Sequence, residues 1–190
     1  MECDVIVLAG LWNSGPQHWQ TLWEQKHPEW KRAPHRDWNN PECDEWVNEV
    51  DAAIAESEGP PVLVAHSLAC VAVAKWAGSG SPLTIAGAFL VAPSDVDAPS
   101  YPVEAVGFQP MPMEKLPFPS IVVASSNDEY VTLERARAFA ASDSGLVPPA
   151  LPGVFTRAPC TEQKVTALKR LLAAALAGAL GFALPAVLPA

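Results

Sequence analysis

Residues 62–70 read VLVAHSLAC: an apolar run, then His66 and Ser67, then small residues that lead into an Ala-rich helical pattern. A serine is a nucleophile only if its hydroxyl stands clear of the sheet, a base takes its proton, and backbone N–H groups receive the developing oxyanion. A sharp strand-to-helix turn meets the first and third conditions together, and it needs small residues two before and two after the serine because the two backbones pass close there. Ala65 and Ala69 occupy those positions, the smallest choice after the glycines of the G-x-S-x-G form. The competing reading is a serine that only caps the helix.

The base is harder to find. Of the 4 histidines, none follows His66. His66 adjoins Ser67, so its side chain is expected to project away from that of the serine. His27 and His35 fall in segments that the sequence does not bring to the site. His18 lies in the loop and first helical turn expected over the strand ends, as a substitute base or as a pocket residue. A helix N-terminus disfavours imidazolium, so a neutral His18 could accept a proton but would stabilise the resulting cation poorly.

Alternating strands and helices must position these residues. DVIVLAG (4–10) is a continuous apolar run ending at glycine, the pattern of a parallel strand covered on both faces. Pro16 predicts a helix starting there and running to about His27. KRAPHRDW reads as an edge strand at most, because Pro34 removes a ladder donor. Asn40 and Pro41 predict the cap and first turn of a helix with apolar positions Trp46, Val47, Val50, Ala53 and Ile54. Strands are expected at Val62–Ala65, within LTIAGAFLVAPSDV and within PSIVVASSNDEYV; helices follow Ser67, closing at Gly78, and span TLERARAFAAS. A Pro-rich loop runs from Asp97 to Pro117. This order predicts a doubly wound, mostly parallel sheet with its ligand at the carboxyl ends of the strands. Trp19, Trp23, Trp30 and Trp38 are expected to serve in packing rather than in substrate binding.

The 190 residues suffice for one α/β domain, and the net charge of −9 opposes binding to nucleic acid or anionic membranes. The 4 cysteines show no metal-ligand spacing, so reduced thiols and a cytoplasmic location are expected, with no metal or cofactor. MECDVIVLAG lacks the basic start of a secretory signal. From about Asp143 the composition shifts to Ala, Leu and Pro, and residues 171–190 carry no charge. Weakly inserting Ala and Gly, with Pro185, argue against a membrane span there. The expected division is a domain over 1–142 and an atypical segment over 143–190, helical or partly disordered.

LWNSGPQHWQTLWE, VLVAHSLACVAVAKWA, FLVAPSDV and ASSNDEYVTLERARAFA, in this order, resemble the small α/β-hydrolase family of retinoblastoma-binding protein 9 and the bacterial YdeN-like proteins. The resemblance covers roughly Val5 to Ala141. It implies a single-domain, three-layer α/β-hydrolase fold and a serine hydrolase acting on a carboxylic ester or small amide, with Ser67 as nucleophile and Asp128 as the acid of the triad. The order Ser, Asp, His is that of α/β-hydrolases. By itself, Asp128 reads equally well as a turn carboxylate bonding its own backbone. The oxyanion hole is expected from the N–H groups of Leu68 and Trp12, with Asn13 and Ser14 shaping the pocket.

The family's histidine belongs after the last strand, where this chain has none. A reading-frame change that replaced the native C-terminus, a degenerate hydrolase without turnover, and a substitute histidine all account for that. The alternative function is a catalytically inactive binding protein on the same fold. A flavodoxin-like nucleotide binder would want a richer phosphate loop than GLWNSGP.

Overall fold

The computed structural model describes residues 4–125, 127–141, 146–147 and 154–157. Its elements in chain order are β1 (Val5–Leu8), α1 (Trp19–Lys26), β2 (Lys31–Arg32), α2 (Cys43–Ala55), β3 (Val62–His66), α3 (Leu68–Ala77), β4 (Gly87–Val91), β5 (Ser120–Val123), α4 (Leu133–Ala141), β6 (Leu146–Val147) and β7 (Val154–Arg157). The sheet order is β2-β1-β3-β4-β5-β7-β6. The first five strands are parallel, while β7 pairs antiparallel with β5 and β6 antiparallel with β7.

Strict alternation along the strands separates two cores. Ile6, Leu8, Leu63, Ala65, Ala88, Leu90 and Val122 face α2, α3 and α4, where they meet Trp46, Val50 and Ile54, the α3 side chains and Phe139. Val5, Val62, Val64, Phe89, Val91 and Ile121 face the other way, onto Trp19, Trp23 and Trp30. The chain is thus a three-layer α/β sandwich. The four tryptophans pack as expected, Trp38 against the first core and the other three against the second. Leu68 to Val73 are all buried, which is why α3 carries almost no polar residue.

Three boundaries differ from the sequence expectation. His18 donates its N–H to the Gly15 carbonyl at 3.0 Å, so Pro16 sits in a turn and α1 starts only at Trp19. Asn40 bonds Asp37 instead of capping α2, whose N-cap is Glu42. The cause is tertiary: Val106 pairs with this stretch, its N–H donating to the Pro41 carbonyl and its carbonyl accepting from Cys43, both at 2.9 Å. Beyond residue 142, the described residues 146–147 and 154–157 are strands that extend the sheet. The helix considered for 143–190 and the apolar end fall outside the described residues, as do Cys3 and Cys160. Among the described residues, Cys43 and Cys70 are free and buried, and no helix is long and apolar enough to cross a membrane.

In this strand order the connections leave β1 and β3 in opposite directions, which opens a crevice at their carboxyl ends. Ser67 follows β3 at that point.

Candidate active site

Ser67 has φ 55° and ψ −123°, between a strand that ends at His66 and a helix that begins at Leu68. A non-glycine residue held there stores roughly 1–3 kcal/mol of backbone strain. The Ser67 N–H donates to the Val91 carbonyl at 2.9 Å and its carbonyl accepts from Cys70 at 3.0 Å, so the turn is fixed on both sides. Its side chain makes no capping bond, which disposes of the helix-cap reading. Instead Oγ lies 2.9 Å from the Ser94 Oγ. Ser67→Gly is expected to stabilise the fold by about 1 kcal/mol, the strain relieved less the added entropy of glycine in the unfolded chain; urea unfolding measures it.

The end of β1 comes up against this turn. A Cβ placed on Gly10 would lie 2.8 Å from the Ser67 Cβ, 2.9 Å from the His66 carbonyl oxygen and 3.4 Å from the Leu68 nitrogen. Gly10 therefore brings the start of the next loop beside the Leu68 N–H, which takes no partner among the described residues. The Trp12 amide, expected to be the second oxyanion donor, is committed elsewhere: it donates to the Trp38 carbonyl at 2.8 Å. Leu11, one residue earlier, has an N–H without a partner among the described residues and replaces it as the candidate. The signal available in the sequence was its place directly after the glycine that follows β1.

Trp12 and Asn13 both take left-handed conformations, φ 65° and 63°. Each costs roughly 1–2 kcal/mol for a residue with a Cβ, so the loop needs ties. Ser14 is buried and its hydroxyl donates to Gln20 Oε1 at 2.6 Å. Asn13 Oδ1 accepts from the Ser14 N–H at 2.7 Å and from Arg32 at 3.1 Å. Both residues hold the loop in place.

His18 caps α1, its Nδ1 accepting from the Gln20 N–H at 3.3 Å. A neutral imidazole that accepts at Nδ1 carries its proton on Nε2. Burial, helped by the Arg32 charge, lowers the His18 pKa to about 4. This arrangement supports a capping residue and argues against the substitute base. His66, 4.7 Å from it between ring centroids, is pushed down to about 3 by burial and by His18. His35 is stacked on Trp46 with Nδ1 2.6 Å from Glu49, and His27 is paired with Glu29.

Asp128 follows β5, two strands from Ser67 and so roughly 10 Å away across the sheet. Its carboxylate accepts from the Tyr130 N–H at 2.8 Å and from the Val131 N–H, while burial raises its pKa. The loop after β4 joins the two places: the Ser94 N–H is 3.5 Å from the Ser67 carbonyl and the Asp95 N–H donates to the Tyr130 carbonyl at 3.2 Å. Arg135 of α4 grips Asp95 with two bonds of 2.7 and 2.8 Å, which holds the Asp95 carboxyl below the usual carboxylate range. Ser94 and Asp95 lie within FLVAPSDV, but the sequence alone assigns them no role because their partners Ser67 and Arg135 are distant in the chain. Among the described residues no cluster of side chains could hold a metal ion.

A strained serine between a parallel strand and a helix, at the carboxyl edge of a three-layer sheet, defines an α/β hydrolase. The serine hydrolase family profile matches residues 5–148, and the chain belongs to that family. Among solved structures it is similar to a protein described as a YdeN-like hydrolase from Pectobacterium atrosepticum, with 27% identity, a TM-score of 0.64, and 74% of this chain and 72% of that one covered. The ydeN gene product of B. subtilis shares the fold at 18% identity and a TM-score of 0.59, over 74% and 81% of the chains. So does a pyrethroid hydrolase, PytH, at 16% identity and 0.56, over 97% and 99%. No curated protein matches the chain.

Proposed function

We propose that this hydrolase acts on carboxylic esters or small amides through Ser67. Oγ attacks the acyl carbon, the Leu68 and Leu11 amides hold the oxyanion, and the alcohol or amine leaves. Water then cleaves the acyl–serine bond. The single observation that carries this reading is the Ser67 backbone, strained between β3 and α3 with its hydroxyl uncommitted to capping. In this reading Asp128 is the acid of the constellation, and its position after β5, two strands from β3, supports that role.

The proton of Ser67 is the weak step. With no histidine after His66 and His18 turned to capping, it passes to solvent water. Losing the triad histidine of a serine protease costs on the order of a million-fold in turnover, roughly 8 kcal/mol, so turnover is expected to be slow. That missing imidazole also favours a second reading, a binding protein on the same fold that holds acyl compounds without cleaving them. In either case the partner is a small molecule met in the cytoplasm, and the proposed chemistry calls for no cofactor.

A fluorophosphonate probe at high concentration and long incubation tests the first reading, because phosphonylation needs the same nucleophile and oxyanion donors but no deacylation, and without a histidine base the labelling is expected to be slow. Labelling at Ser67 that disappears in a folded Ser67→Ala variant is the expected result. A folded wild-type chain that stays unlabelled even at high probe concentration and long incubation would leave the binding protein.

A further inference from the structure

Arg32 spends all its donors on one loop and the helix behind it. Its Nε donates to Glu24 Oε1 at 2.8 Å and one terminal nitrogen to Glu24 Oε2. The same nitrogen reaches Thr21 Oγ1 at 2.8 Å, and the other reaches Asn13 Oδ1 at 3.1 Å and the Ser14 carbonyl at 3.0 Å. Thr21 Oγ1 in turn donates to the Ser14 carbonyl at 3.0 Å. A guanidinium has five N–H groups in a planar fork, so none is left over.

From the inner side, Gln20 is 1% exposed. Its amide nitrogen donates to the carbonyls of Leu8 at 2.9 Å and Val64 at 3.1 Å, and its oxygen accepts from Ser14. Leu8 and Val64 belong to β1 and β3, the two strands that open the crevice. One side chain thus ties the loop to the sheet beneath the candidate nucleophile, and another clamps it from the rim.

We propose that Arg32 and Gln20 are positioning residues for the oxyanion hole, fixing the 10–14 loop in its left-handed turn so that the Leu11 N–H stands beside that of Leu68. This rests on the hydrolase reading above. Neither residue touches substrate. Both act through the loop, and a lysine at position 32, a point charge without the fork, cannot reproduce the set of bonds.

Arg32 is the better probe, since a change at buried Gln20 would be confounded by unfolding. The rate of Ser67 phosphonylation in the full chain, followed against fluorophosphonate concentration at pH 8 where His18 stays neutral, separates maximal rate from half-saturation. Arg32→Met is expected to lower the maximal rate by roughly 100-fold, the effect of displacing one oxyanion donor, with half-saturation nearly unchanged. Arg32→Lys is expected to lose about 10-fold, because it keeps the charge but loses the fork. Arg36→Met, which removes an exposed pair with Glu45, should leave the rate unchanged.

A merely structural role would lower the melting temperature of Arg32→Met yet leave its folded fraction reacting at the wild-type rate, and that result overturns the proposal. A folded wild-type chain that takes no label overturns the hydrolase reading instead. Amide exchange at residues 11–14 then decides the positional claim: faster exchange in Arg32→Met supports it, and unchanged exchange refutes it.

Discussion

Gly10→Ala should cost about 3 kcal/mol and slow phosphonylation of Ser67 by roughly 100-fold, from a single added methyl group. Gly10 has no left-handed φ to protect, so the requirement is one of space alone. Two of the three atoms facing the new Cβ lie closer than side-chain carbons tolerate, at 2.8 and 2.9 Å, and one of them is the backbone oxygen of His66. Neither can rotate away. The turn at Ser67 is pinned from behind by Val91 and Cys70, and the loop after Gly10 is held by Gln20 and Arg32. Relief must therefore come from separating β1 from β3 at the site itself.

A double-mutant cycle isolates the cause. Ser67→Gly deletes the Cβ that Gly10→Ala meets at 2.8 Å but leaves the His66 oxygen in place. The penalty of Gly10→Ala is expected to fall by about 1 kcal/mol or more in the Ser67→Gly background, a coupling well above the error of additive sites. Additive energies from urea unfolding would show that the two residues do not meet, and would remove the close approach on which the oxyanion hole depends.

What could be read from the chain divides along the same physical line. The strands announced themselves because a parallel strand buried on both faces is apolar throughout, as in VIVL and VLVA, and α3 closed at Gly78 as its composition required. Ser67 was legible because the turn it occupies demands small neighbours at fixed spacing. The start of α2 was misread because Val106, 64 positions after Glu42, pairs there and outweighs the local preference of Asn40 for a cap. Arg32 was invisible for a similar reason, since an arginine in a two-residue edge strand looks like any solvated charge until β2 lies beside β1. Trp12 is one residue off the amide that the structure leaves without a partner, because the reversal of this loop depends on two left-handed residues that sequence does not single out.

Between pH 7 and pH 5 the fold is expected to lose about 3 kcal/mol of stability, and the cause is the His18–His66 pair. Both imidazoles ordinarily titrate near 6.5, and in the folded chain they are held neutral down to about 4 and about 3. The unfolded chain therefore binds protons that the native state refuses. The stability is fully present above pH 6.5 and is lost as pH falls from there toward 4, where His18 begins to protonate in place. Desolvation is the first cause for both; Arg32 adds to it at His18, and His18 adds to it at His66. His35 is shifted the same way by burial, against the pull of Glu49, and steepens the same limb. Two groups at full weight would give about 4 kcal/mol by pH 5, and the part-exposed His18 is discounted for screening by solvent. A domain of this size has roughly 5–15 kcal/mol in all, so the acid limb should be conspicuous. His18→Asn separates the pair from general acid effects, because asparagine keeps the N-cap of α1 while removing a titrating group. At pH 7.5 its unfolding free energy should match the wild type within about 0.5 kcal/mol. By pH 5 it should exceed the wild type by about 1–2 kcal/mol, since His66 also loses its neighbour; parallel pH profiles for the two proteins would assign the acid sensitivity to other groups.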